Sequence, residues 1–370
     1  MQRQHLHVRL AWVLPLLLVV CCGCPFSTED LPGGSTSQSL DVGQNGSLAT
    51  ATALSLSAAD AELEFSGTID SGADIDVYNL GLLAAGDHLY VDVSRRSGNL
   101  DATAAIFDSE ETLIAFSDDR TPDGSNLNPQ FDFTICGETG EYFLGIISYP
   151  GYTSAGEYEV VVRIQRDVGI PTPNGQIVFL DWRGGSDIVI PNVGVYTLRP
   201  FSAADLGLSA DRTAAAKDRI QTLVEQTYAG YNLTVLNSDD SPVPSGAHST
   251  IYFGGSDAEA FAISEKIDPY NEDPSDDAII FTESFDAIFS STSFDEMTQA
   301  VANTVAHELG HLLGLVHTAD CNSLMDTTCY NARLLHPQSF TTAKLDTSVF
   351  PFGWQDAPEL LTWILGLVGF

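Results

Sequence analysis

Residues 307–317 read His-Glu-Leu-Gly-His-Leu-Leu-Gly-Leu-Val-His, and no other stretch of the chain is so well equipped for chemistry. His307 and His311 stand one helical turn apart, so on a helix they share a face and can reach one metal ion. Glu308, adjacent to the first histidine, is placed to touch a metal-bound water rather than the metal. Gly314 can adopt a left-handed conformation and end the helix, which lets His317 swing back as a third ligand. Three protein nitrogens leave a position on zinc open for water, which is what a hydrolytic zinc needs. A His-Glu-x-x-His pair alone occurs in unrelated proteins, whereas the full pattern at the end of an amphipathic helix is much more specific.

The elements around the motif must present it. Val301, Val305, Leu309 and Leu312 recur at helical spacing and seat the motif helix, expected over 295–313, on a core. Upstream, 177–180 is a continuous apolar strand. Ser209 can cap a helix running to Tyr228, with Ile220, Leu223, Val224 and Tyr228 on one face and Gly230 as its stop. Strands are expected at 233–236, 250–253 and 278–281. This order describes a mixed α/β domain over 177–370, a sheet covered by helices.

With Met325 standing eight residues beyond His317, this part of the chain resembles the metzincin metallopeptidases, and the matrixin-like members in particular. The resemblance implies one catalytic zinc held by His307, His311 and His317, with Glu308 as general base. It implies that Met325 lies in a tight turn below the ligands, and that a protein or peptide substrate lies extended along a sheet edge. Thr318 departs from the matrixin pattern, which has serine there, and no cysteine-switch motif is visible. Tyr330 is a candidate for the wall of a specificity pocket.

Residues 42–166 have a different texture. His88 to Val93 alternates, with Leu89, Val91 and Val93 inward, and Glu157 to Ile164 does the same with Tyr158, Val160, Val162 and Ile164. Segments 103–107 and 141–147 add strands, turn residues separate the runs, and no helical period interrupts them, which predicts an antiparallel β-sandwich. Ala51-Thr52-Ala53-Leu54, Asp74-Ile75-Asp76-Val77-Tyr78, Ala105-Ile106-Phe107-Asp108, Ser117-Asp118-Asp119, Gly140-Glu141-Tyr142 and Gly156-Glu157-Tyr158 follow one another as in the bacterial pre-peptidase C-terminal family, which this segment resembles. That resemblance implies an accessory module of secreted proteases. Asp74 and Asp76 either cap a turn or hold calcium. Residues 167–176, with Pro171 and Pro173, form a linker. The fold class is therefore α+β: a sandwich followed by a mixed-sheet peptidase domain.

The N-terminus reads as an export signal: Arg3 and Arg9, then an apolar run from Leu10 to Val20, then Cys21-Cys22-Gly23-Cys24. It resembles a bacterial lipoprotein signal over 1–23, with Cys24 lipidated, 24–41 as a flexible tether, and the membrane as a partner through the lipid. The expected location is the cell envelope or the medium. An exported chain keeps disulfides, so Cys321 and Cys329 are expected to pair, leaving Cys136 as a buried thiol. The 370 residues carry a formal charge of -35, which excludes nucleic acid as a partner and is compatible with calcium. The acidic stretch 268–277 is either a solvated loop or a calcium site, and His248 and His336 are expected on the surface. The sequence as a whole points to a monomeric zinc endopeptidase. The alternatives are a surface-anchored binding protein whose zinc domain does not cut, or a zinc hydrolase of a non-peptide amide or ester.

Overall fold

A computed structural model of the protein describes residues 38–40, 43–56, 59–191, 193–289, 292–327 and 329–369. The expected signal 1–23, Cys24 and most of the tether lie outside them. Among the described residues no helix is long and apolar enough to cross a membrane.

The first half is a sandwich of two five-stranded sheets. One contains β1 (Gln38–Ser39), β3 (Ala61–Ile69), β5 (His88–Arg95), β8 (Gln130–Thr134) and β10 (Gly156–Gln165), in the order β1-β3-β10-β5-β8. The other contains β2 (Thr52–Ala53), β4 (Ile75–Leu83), β6 (Ala102–Phe107), β7 (Leu113–Ser117) and β9 (Gly140–Ser148), in the order β2-β4-β9-β6-β7. All pairings are antiparallel except the two short ones, β1 with β3 and β2 with β4. Alternation decides which side chains meet: Leu89, Val91 and Val93 of β5 and Tyr158, Val160 and Val162 of β10 are all fully buried between the sheets. Strand β1 falls inside the expected tether, because two of its residues gain a ladder along β3.

The second half has a five-stranded sheet in the order β14-β11-β15-β17-β16. Strands β11 (Gln176–Asp181), β14 (Leu233–Asn237), β15 (Ser249–Phe253) and β17 (Asp277–Ile280) are parallel, and the edge strand β16 (Ala262–Ser264) runs antiparallel to β17. Val178, Phe179 and Leu180 are fully buried, as expected for a parallel strand covered on both faces. A hairpin, β12 (Gly185–Ile190) with β13 (Gly194–Leu198), lies over β17, with Ile188, Ile190 and Leu198 against Ile279 and Phe281. The helices are α1 (Thr213–Thr227), α2 (Glu283–Ile288), α3 (Phe294–Leu312) and α4 (Ala357–Leu365). A last small ladder joins β18 (Thr342–Lys344) to β19 (Trp354–Asp356).

Helix α1 starts later than Ser209 suggested. Ser209 turns its hydroxyl onto Asp211 and opens a short 3-10 turn, Ala210–Arg212, and the α-helix begins only at Thr213. Ser293, by contrast, caps α3 through a reciprocal box with Glu296, satisfying two helix-end donors. Most residues of α3 are buried, and the Tyr228 hydroxyl at the end of α1 donates to the Ala306 carbonyl at 2.9 Å.

The two halves share a core. Val77, Phe107, Phe116, Phe143 and Ile147 of the sandwich pack with Val316, Leu345, Val349 and Phe350. Phe107 meets Phe350 edge-on at 5.1 Å, and Phe133 stacks on Tyr270 at 4.9 Å. The 167–176 segment is pinned as well: Asp167 donates to Asp87 at 3.2 Å, Gly169 donates to the Gly86 carbonyl at 3.1 Å, and Gln176 already belongs to β11.

Candidate metal centre

Helix α3 delivers His307 and His311 from one face, and the chain then turns at Gly314, whose φ is +88°. A side chain could not stand there: a β-carbon would lie 2.8 Å from the Asp268 carbonyl oxygen and 2.9 Å from the Pro269 Cα. The Asp268 amide donates to the His311 carbonyl at 2.9 Å, so the 268–271 loop closes the helix end from below. His317 comes back from this turn to the histidine pair.

His311 Nε2 lies 3.1 Å from His307 Nε2 and 3.0 Å from His317 Nε2. The opposite nitrogens are already committed: His307 Nδ1 donates to the Leu324 carbonyl and His311 Nδ1 to the Leu315 carbonyl, both at 2.8 Å. A carbonyl only accepts, so those protons sit on Nδ1 and leave the Nε2 lone pairs facing one another. Burial, then the two neighbouring histidines, hold His311 well below the usual imidazole range, and burial, then His307, pushes His317 down to about 3. Neutral imidazoles whose lone pairs converge without a proton between them repel one another unless a cation sits among them. The donor set fits zinc.

Below them lies Met325, fully buried, in the turn that follows. The Thr318 amide donates to the Met325 carbonyl at 2.8 Å, which fixes that turn against the segment that carries His317. Cys321 and Cys329 are joined by a disulfide, with Cα atoms 5.4 Å apart, across the loop that holds Met325. Glu308 is 8% exposed and lies beside Ser264 of β16, whose polar groups favour its charged form. Burial pushes its carboxyl up to about 8 in the metal-free protein; a dication beside it would pull that value down.

Other expected residues lie elsewhere. Tyr330 is 71% exposed. Cys136 is half-buried and donates to the Thr134 carbonyl. His248 is half-buried beside the Gly246 carbonyl and His336 is exposed; neither joins the three histidines. Asp74 caps a turn by accepting the Asp70 amide at 2.7 Å, and Asp76, 1% exposed, accepts the Tyr158 hydroxyl. The 268–277 stretch is solvated only in part: Glu272, Asp273 and Ser275 are exposed, whereas Asp268 and Asp276 are 2% and 1% exposed, and Lys266 lies 3.3 Å from Asp268. Ser264 and Gln355 support the centre and left no mark in the sequence pattern, for β16 and β19 are three residues each and carry no period.

Residues 232–348 match the matrixin family model. The matrixin match runs from β14 past β18 and takes in the edge strand, α3, the three histidines and the Met325 turn. It supports zinc-dependent peptidase chemistry for this half. No curated protein matches the chain. Among solved structures, archaemetzincin from Methanopyrus kandleri is 12% identical over 45% of this chain and 87% of its own, with a TM-score of 0.27. A zinc-dependent peptidase from Methanocorpusculum labreanum is 12% identical over 43% of this chain and 92% of its own, with a TM-score of 0.25. The pre-peptidase C-terminal domain of a Bacillus anthracis collagenase is 14% identical over 35% of this chain and 99% of its own, with a TM-score of 0.22.

Proposed function

We propose that the protein is a zinc-dependent endopeptidase in which Glu308 is the general base. The observation that carries this is the convergence of His307, His311 and His317 beside a buried Glu308, with the edge strand β16 alongside. A zinc ion held by the three histidines supplies Lewis acidity toward a water and toward the scissile carbonyl. Glu308 accepts the water proton and returns it to the leaving amine. Ser264 of β16 lies beside the Glu308 carboxylate and favours its charged form. Among the described residues β16 pairs only with β17, so its free edge can take an extended peptide by strand addition. Strand addition engages main chain, so such a site can take a segment from within an unfolded chain, which suits internal cleavage.

Purified protein should hold one zinc per chain and lose cleavage of unfolded proteins when the zinc is chelated. Glu308→Gln should keep both zinc and fold, and lose about 10²–10⁴-fold in turnover, the usual worth of general acid–base catalysis. A Glu308→Gln protein as active as wild type would sink the mechanism. A wild type that holds zinc yet cuts no peptide would favour the binding protein, or a hydrolase of another amide or ester.

For location, the proposal is a cell-envelope lipoprotein anchored through Cys24, resting on the layout of residues 1–24. Cys24→Ser should leave the membrane fraction or fail to be processed. Absence of fatty-acid label from the wild type would remove this part.

A further inference from the structure

The first two ligands are held by their own helix and by carbonyl acceptors. His317 has neither support: among the described residues its imidazole meets no carbonyl acceptor, and its Nε2 only faces His311 Nε2 at 3.0 Å. Its place depends on the backbone that brings it in, and that backbone is gripped from a distance. Gln355, fully buried on β19, accepts the Val316 amide on Oε1 at 2.7 Å and donates from Nε2 to the Val316 carbonyl at 3.0 Å. One carboxamide thus satisfies both polar groups of the residue before the third ligand, as a neighbouring strand would. On the far side, the Asp346 amide donates to the His317 carbonyl at 3.1 Å.

Gln355 is itself anchored from two directions. Its strand pairs with β18, Ala343 opposite Gln355. The preceding residue, Trp354, donates its amide to the Glu111 carbonyl of the sandwich at 2.9 Å. The Val316 side chain is fully buried in the core shared with Phe107 and Phe143. The main chain and side chain beside the third ligand are therefore both set where the two halves meet.

We propose that Gln355 is a positioning residue for His317, tying the geometry of the third ligand to the seam between the sandwich and the peptidase half. This rests on the zinc-peptidase reading. A glutamine that merely fills buried hydrogen bonds would affect stability and nothing else. A positioning residue also affects how well the folded protein grips its metal, since supports behind ligands set metal affinity.

The test compares full-length wild type, Gln355→Met and Gln355→Asn. The methionine keeps length without hydrogen bonds. The asparagine keeps the amide but is one methylene short of Val316, and it stands in if the methionine variant does not fold. Zinc affinity is measured by competition with a chromophoric chelator, and ligand geometry by the visible bands of the cobalt-substituted protein. Zinc affinity is expected to fall on the order of tenfold, with altered cobalt bands. If a folded variant binds zinc as tightly as wild type with the same cobalt spectrum, whatever its melting temperature, Gln355 has no positioning role. If wild type binds no zinc, the peptidase reading itself is overturned and this proposal falls with it.

Discussion

Met325 sits so close beneath Gly310 that a β-carbon on the glycine would stand 2.7 Å from the methionine sulfur. The glycine between the first two ligands is thus a packing requirement. In an open helix Gly→Ala gains about 0.5–1 kcal/mol. Here overpacking, about 1–3 kcal/mol, opposes that gain and should win. Gly310→Ala should lower the urea midpoint and shed zinc more readily. A variant more stable than wild type would mean that the sulfur is not packed there.

Gly314 is constrained differently, by conformation and by backbone neighbours together. Gly314→Ala should lose zinc and destabilise the fold, because a left-handed alanine costs about 1–2 kcal/mol and the Asp268 and Pro269 backbone cannot move aside. Gly230, with φ +102° and open space within 4 Å of where a β-carbon would stand, isolates the conformational part. Gly230→Ala should cost less and leave zinc binding intact. Equal losses in zinc content from the two substitutions would refute the steric argument.

The buried acids of the 268–277 loop predict an unusual pH profile. Burial and then Asp268 push Asp276 up to about 8, from an ordinary value of 3.8. An acid with a raised pKa is protonated when folded and ionised when unfolded, so folding binds a proton across that window. The Asp276 contribution is therefore full below its ordinary value and falls as pH rises toward about 8. The depressed histidines act the other way at lower pH, His317 between about 3 and its ordinary 6.5, so the comparison must be differential. Metal-free Asp276→Asn should gain on metal-free wild type between pH 5 and pH 8 by about 1 kcal/mol or more, the worth of one pKa unit. An unpaired amide adds a constant cost to the variant, so the slope is what counts. Parallel melting curves at all pH values would contradict the assignment.

Reduction should loosen the floor of the metal centre. Cys321 and Cys329 are eight residues apart, and closing a loop of this size stabilises by up to about 2–3 kcal/mol. Dithiothreitol should lower the melting temperature of wild type and leave that of a Cys321→Ser/Cys329→Ser protein unchanged. Peptide mapping of protein isolated from the cells that make it that found both thiols free would rule the bridge out.

What the sequence reveals depends on how local the signal is. The histidine pattern, Gly314 and Met325 fall within nineteen consecutive residues, 307–325, and one helix and its turn nearly suffice to assemble them. The sandwich is equally readable, because Leu89, Val91 and Val93 alternate with polar residues on a strand with one buried face. The supports are not. Ser264 reaches Glu308, and Gln355 reaches Val316 across 39 residues, from strands of three residues each that exist only because a neighbouring ladder stabilises them. The start of α1 departs from expectation because Ser209 bonds Asp211 locally and competes with the cap it would otherwise form.

The shared core also limits how the gene can be cut. The 167–176 segment looks like a natural place for separate expression of the two halves, but a break there would uncover an oily face on each. Phe107, Phe116 and Phe143 would be bared on one product, and Val316, Val349 and Phe350 on the other. Faces of this kind drive self-association. Fragments designed at that boundary should come out of cells as aggregates, and co-expression of the two pieces should recover soluble material only to the extent that they find each other.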